Sequence, residues 1–282
     1  MKFRDWTSLR YALYWAYEGE VLSSARVGTY GDSATACWLI RRGRVKVTAA
    51  GKSVTAGPNQ WVFVASPKRH QDFSDDAEIL SLHFHLSWPG GEAVIERKQN
   101  VVFDASDFPQ LERAALPLLR HLRRSFPGSA TFLPAQECTM SSYLRVQNLL
   151  PVWLAAYIET EAALGNHARR LEVPDNRVLE SLNELDRQPL SQRFCEADLI
   201  QRAGLGRSHF NSLFLAATGM SPRRYFDRRR LSEACTLLRH TETSIKEIAF
   251  GLGFRYESHF TAWFRKGVQA TPSAYRKQHR HP

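Results

Sequence analysis

The hydrophobic positions of this chain change their spacing along its length. From about residue 20 to residue 103, short apolar runs (CWLI, VKVTA, QWVFVA, EILSLHFHLSW and NVVFD) alternate with the polar stretches RRGR, AGKS, AGPN and SPKRH. Runs rich in β-branched and aromatic residues, bounded by Gly, Pro and Asn, predict antiparallel strands in a small barrel or sandwich.

After Phe103 the apolar positions recur at helical intervals in FPQLERAALPLLRHLRRSF and AQECTMSSYLRVQNLLPVWLAAYIETEAALG, predicting two helices between about 107 and 165. In the second, Tyr143, Val146, Leu150, Trp153, Leu154 and Tyr157 share one stripe, and Pro151 predicts a kink. Such a stripe suits packing on its own domain or against a second copy. GNHARRLEVPD, Gly165 to Asp175, has few apolar residues and reads as a linker. The domain boundary is therefore expected near Pro174, giving domains 1–174 and 175–282.

Beyond the linker the pattern predicts only helices: about 176–187, 196–203, 207–218, 222–240, 244–251, 256–268 and 272–278. This region repeats itself. Arg207-Ser-His-Phe-Asn-Ser-Leu-Phe214 aligns with Glu257-Ser-His-Phe-Thr-Ala-Trp-Phe264, Ser221-Pro222 with Thr271-Pro272, and Tyr225 with Tyr275. Upstream, Leu199 aligns with Ile248 and Gly204 with Gly253. Each copy reads as a short helix, a glycine turn suited to positive φ, and a second helix whose i, i+4 phenylalanines point inward. The outward positions are small or polar, as a helix entering a major groove requires.

Charge sharpens that reading. The chain carries 38 Lys/Arg against 28 Asp/Glu, a net +10. From Asp175 onward there are 18 against 11, net +7, leaving +3 for residues 1–174. The excess sits with the repeat, as expected for a polyanionic partner. Cys37, Cys138, Cys195 and Cys235 have no paired spacing, so neither a zinc site nor a disulfide framework is suggested. The start of the chain lacks a leader-like apolar core, and no apolar run is long enough to span a membrane, so a cytoplasmic, membrane-free protein is expected.

SIKEIAFGLGFRYESHFTAWFRKGVQATPSAYR, Ser244 to Arg276, closely resembles AraC/XylS-type transcriptional regulators of bacteria. Ile248-Ala249, Gly253-Phe254, Phe260, Phe264, Thr271-Pro272 and Tyr275-Arg276 carry the resemblance, which extends over about 175–280. Two departures stand out: Ile200 replaces the usual alanine of the first helix, and Gln269-Ala270 replaces the usual glycine before the Thr-Pro cap. The resemblance implies an α+β protein, with an N-terminal cupin-like β-barrel (about 20–103) and helical segment serving as a sensor and dimerisation domain. It also implies a C-terminal all-α double helix-turn-helix.

By that resemblance, Ser208, Asn211 and Ser212 of the first copy, and Glu257, Ser258, Thr261 and Ala262 of the second, face bases. Their chemistry is uneven: Asn211 can pair with adenine, Glu257 can accept from cytosine, and Thr261 can offer a methyl to thymine. Arg207, Arg223, Arg224, Arg255, Arg265 and Lys266 are the phosphate candidates. Of Arg228, Arg229 and Arg230, consecutive on a helix, at most one or two can face DNA. His209 and His259 repeat in both copies, which suggests a shared structural role.

In the N-terminal section, AGPNQWVFVASPKRHQDF resembles the cupin-like sensor barrel, with Gly57, Pro67 and His70 in matching spacing. A ligand pocket lined by Trp38, Trp61, Phe63 and Phe84 is one reading of its aromatics; an ordinary core is the other. His70, His83 and His85 form the alternative, a metal site of the three-histidine kind in a cupin enzyme. No acid/base partner, phosphate-binding glycine loop, GxSxG or HExxH accompanies them, so neither an enzyme nor a cofactor is expected. The partners implied are double-stranded DNA, RNA polymerase for an activator, a small-molecule effector, and a second copy.

Overall fold

Alternation builds the N-terminal strands. In the computed structural model, which describes residues 3–31, 34–65, 68–89, 91–97, 99–126, 132–169 and 175–279, nine strands form: β1 Arg10–Glu20, β2 Val27–Gly31, β3 Thr35–Arg42, β4 Val45–Ala49, β5 Lys52–Ala56, β6 Gln60–Phe63, β7 Lys68–Phe73, β8 Glu78–Ser87 and β9 Val101–Asp104. The short helix α1, Ser23–Arg26, joins β1 to β2. The strands make two open sheets, ordered β1-β8-β3-β6-β9 and β2-β7-β4-β5. The sheets share a core of Ala36, Trp38, Ile40, Val45, Val47, Val62, Phe73 and Ile79, among others.

The five-stranded sheet is covered on its other face as well. Two helices follow, α2 Pro109–Ser125 and α3 Met140–Ala163. Trp153 of α3 lies 5.7 Å from Trp61, and Tyr157 lies 5.2 Å from Phe63 and 5.1 Å from Phe84, ring centre to ring centre. A strand covered on both sides loses its alternation of buried and exposed positions: every residue of β8 from Ile79 to Phe84 is buried, Ser81 and His83 among them. Val146, Leu150, Trp153, Leu154 and Tyr157 of the expected α3 stripe are buried, but Tyr143, in the first turn of the helix, is 53% exposed. The helix continues through Pro151.

Seven helices follow: α4 Asn176–Arg187, α5 Glu196–Ala203, α6 Arg207–Thr218, α7 Pro222–His240, α8 Ile245–Gly251, α9 Glu257–Val268 and α10 Pro272–His279. Caps explain their limits. The Ser244 hydroxyl accepts from the Glu247 amide (3.1 Å) while the Glu247 carboxylate accepts from the Ser244 amide (2.9 Å), closing a capping box at α8. Ser221 and Thr271 cap α7 and α10 ahead of their first-turn prolines.

Two compact units divide the chain, Arg10–Leu86 with Ala93–Arg169 and Arg170–His281 with Met1–Leu9 and Ser87–Glu92. The expected boundary at Pro174, like Pro67 of the barrel motif, lies outside the described residues. No described helix is long and apolar enough to cross a membrane.

Candidate nucleic-acid interface

The two repeat copies build two small cores. Val178, Leu182, Leu185, Leu199, Phe210, Phe214, Tyr225 and Phe226 belong to the first; Ala234, Leu238, Ile248, Ala249, Phe260, Phe264 and Tyr275 belong to the second. Their geometry repeats with the sequence. Phe210 and Phe214 stand 5.8 Å apart and Phe260 and Phe264 5.7 Å apart. Tyr225 meets Phe214 edge-on as Tyr275 meets Phe264. Gly204 and Gly253 turn the chain at φ 63° and 80°, where a side chain is disfavoured.

With the phenylalanines inward, the opposite faces of α6 and α9 meet solvent. Ser208 and Ser212 are exposed on α6, and Glu257, Ser258 and Ala262 on α9, with Thr261 half-buried. Asn211 is also half-buried, and its amide donates to Glu196 Oε1 at 3.0 Å, tying α6 to the first turn of α5. Leu215, 53% exposed, continues this face of α6 one turn on, where Arg265 continues it on α9. Leu215 was not among the expected base-facing residues, although its alignment with Arg265 marks the position.

The phosphate candidates Arg207, Arg224, Arg255, Arg265 and Lys266 are exposed. Arg255 lies over the Tyr256 ring at 5.5 Å. Arg223 is partly engaged, pairing with Asp227 at 3.0 Å and lying 5.6 Å from the Phe194 ring centre. The arginine triplet separates. Arg229 donates to the carbonyls of Leu185, Asp186 and Gln188 at the end of α4, and Arg230 is buried. Arg228 is exposed and stacks on Tyr225. His209 and His259 are both exposed, so burial does not explain their repetition.

The N-terminal candidates do not converge. Trp38 faces the sandwich interior, 5.1 Å from Phe73, whereas Trp61, Phe63 and Phe84 face α3. The register explains the split: Trp38 pairs with Val62, while Cys37 and Leu39 pair with Phe63 and Trp61. Four residues on two faces of one sheet cannot line a single pocket, which corrects that expectation. The three-histidine alternative fails for a similar reason. His70 is exposed on the outer face of β7, with Nδ1 3.1 Å from Thr29 Oγ1, whereas His83 is buried on β8 of the other sheet. No cluster of three His, Cys, Asp or Glu suited to a metal occurs among the described residues.

Against known proteins, a helix-turn-helix domain family matches residues 199–278. This region is an AraC-type helix-turn-helix domain. The HTH-type transcriptional regulator ExsA of Pseudomonas aeruginosa is 30% identical over 164 residues, 58% of this chain and 56% of that protein. The HTH-type transcriptional activator RhaR of Mannheimia succiniciproducens is 35% identical over 104 residues, 37% and 38% of the two chains. An uncharacterized HTH-type transcriptional regulator of Haemophilus influenzae is 34% identical over 103 residues, 36% and 34%. The matched segments thus span about a third to just over half of these relatives. Among solved structures, the DNA-binding domain of AdpA in complex with a target DNA is 28% identical, covering 36% of this chain and 90% of that one at a TM-score of 0.33. ToxT from Vibrio cholerae O395 is 14% identical, covering 97% and 98% at a TM-score of 0.48.

Proposed function

We propose that this protein is a sequence-specific, DNA-binding transcriptional regulator of the AraC/XylS type, acting by binding rather than by catalysis. One observation carries the reading: the same polar, exposed face appears twice, on α6 and α9, each backed by a phenylalanine pair and flanked by exposed arginine or lysine. Paired reading helices suit two short segments of major groove. Ser208, Asn211, Ser212, Glu257, Ser258, Thr261 and Ala262 take the base edges; Arg207, Arg223, Arg224, Arg255, Arg265 and Lys266 take phosphates. In this reading the N-terminal unit, in response to a small molecule or a second copy, changes how the two helices are presented. An activator of this kind would also engage RNA polymerase.

The test is selection of bound duplexes from a random DNA library with the full chain, followed by sequencing. Two enriched motifs about one helical turn apart are expected. Salt-sensitive binding without enrichment would leave a basic, sequence-blind binder instead.

A further inference from the structure

The two helix-turn-helix cores are separate, and a narrow seam joins them beside α7. Leu190, in the segment between α4 and α5, packs its side chain against both cores. Its carbonyl accepts two hydrogen bonds from Arg230, from Nε at 3.1 Å and Nη2 at 3.0 Å, and the Gln192 carbonyl accepts a third at 3.2 Å. The guanidinium lies 4.6 Å from the ring centre of Phe226, of the first core, and 5.5 Å from that of Phe254, which packs on the second.

The turn of the second motif closes the same seam. A Cβ on Gly253 would stand 2.6 Å from the Ser191 carbonyl oxygen and 2.9 Å from Arg230 Nη2, while one on the equivalent Gly204 would meet nothing within 4 Å. Gly253 therefore answers two demands, positive φ and close approach; Gly204 answers one.

We propose that Arg230 is a positioning residue that fixes the two helix-turn-helix motifs relative to each other, so that α6 and α9 address DNA at one set spacing. The consequence for DNA rests on the function proposed above; the clasp itself does not. Few residues can do this. A planar, permanently charged guanidinium can donate several bonds in its plane while aromatic rings meet its faces. At 8% exposure, its charge is compensated by carbonyl dipoles rather than by water.

The test uses the full chain with Arg230→Met, which keeps an apolar stem and removes the donors, beside Arg230→Lys. Spin labels at Ala216→Cys and Lys266→Cys, in a Cys138→Ser, Cys195→Ser background, report the separation of α6 and α9 without DNA. One narrow distance distribution is expected for Arg230, a broadened one for Arg230→Met, and partial recovery for Arg230→Lys. On a selected two-motif duplex, Arg230→Met should lose about ten-fold in affinity, because the second contact no longer benefits from a fixed effective concentration. The penalty for inserting base pairs between the motifs should flatten, and binding to either motif alone should stay within about two-fold.

An unchanged distance distribution in Arg230→Met overturns the clasp. An equal loss on single motifs and on the pair also overturns it, since Arg230 would then act within one core. Broadened distances in a protein that enriches no DNA sequence would uphold the clasp and sink the DNA reading. If Arg230→Met does not fold, Gly253→Ala, which displaces Arg230 Nη2 and the Ser191 carbonyl, takes both measurements with the same expectations.

Discussion

Asn211 shows how a side chain can be placed for reading and be occupied at the same time. A bidentate pair with adenine uses both the amide NH2 and the amide oxygen. In this structure the NH2 is already given to Glu196 Oε1, and Oδ1 is buried without a hydrogen-bond partner. Reading a base requires the side chain to rotate off Glu196, so that both amide atoms can meet the base edge. Asn211→Ala should therefore relax preference at one base position and cost about 1–3 kcal/mol on the best duplex. Glu196→Ala, which frees the amide, should leave the preferred base unchanged. Competition binding with single-base variants of the selected site measures both. A loss in Asn211→Ala spread evenly over all sequences would remove Asn211 from the reading set.

At the scale of elements, the repeat supplies its own controls. The first copy ends α6 at Gly219, φ 69°, whereas the second ends α9 at Gln269, φ 63°. A left-handed conformation costs a residue with Cβ about 1–2 kcal/mol, partly offset by the chain entropy that glycine loses on folding. Gln269→Gly should thus raise stability by roughly 1 kcal/mol and Gly219→Ala should lower it by a similar amount, both read by urea unfolding. Asp175 caps α4, and its hydrogen bonds from the Arg177 side chain and amide hold its carboxyl down to about 2. A depressed carboxyl contributes stability above its ordinary pKa and loses it as pH falls through the folded value. The Arg177 amide resonance should accordingly titrate near pH 2, and a midpoint near 4 would refute the cap. The same local chemistry made the C-terminal helices legible in sequence, since capping residues, glycine turns and paired phenylalanines lie within a few positions of one another. Strands depend on distant partners and were less legible. β7 lay partly in an expected turn, because its inner face carries Arg69 and Gln71 ahead of its one apolar residue there, Phe73. β1, β2 and β5 also escaped, and with them the register and strand order that put Trp38 and Trp61 on opposite faces of one sheet and His70 and His83 on different sheets.

For the whole molecule, the uneven charge is the property that reaches beyond contact distance. An excess of +7 from residue 175 onward, against +3 before it, raises the local concentration of a polyanion at the unit that carries α6 and α9. Within that unit the cations are not equivalent. Arg265 is exposed on α9, whereas Arg223 shares its charge with Asp227 at 3.0 Å. Each phosphate neutralised by a free cation releases about one counterion, so the slope of log affinity against log salt counts such contacts. Arg265→Ala should weaken binding to all sequences together and reduce that slope by about one. Arg223→Ala should reduce it by less, because an arginine paired with a carboxylate brings little net charge to the backbone. Asn211→Ala, acting on a base, should leave the slope where it was. Binding titrations from about 50 to 200 mM salt on the selected duplex and on an unrelated one separate the three. If the slopes fell equally for Arg265→Ala and Asn211→Ala, the division of α6 and α9 into residues that read bases and residues that anchor the backbone would be wrong.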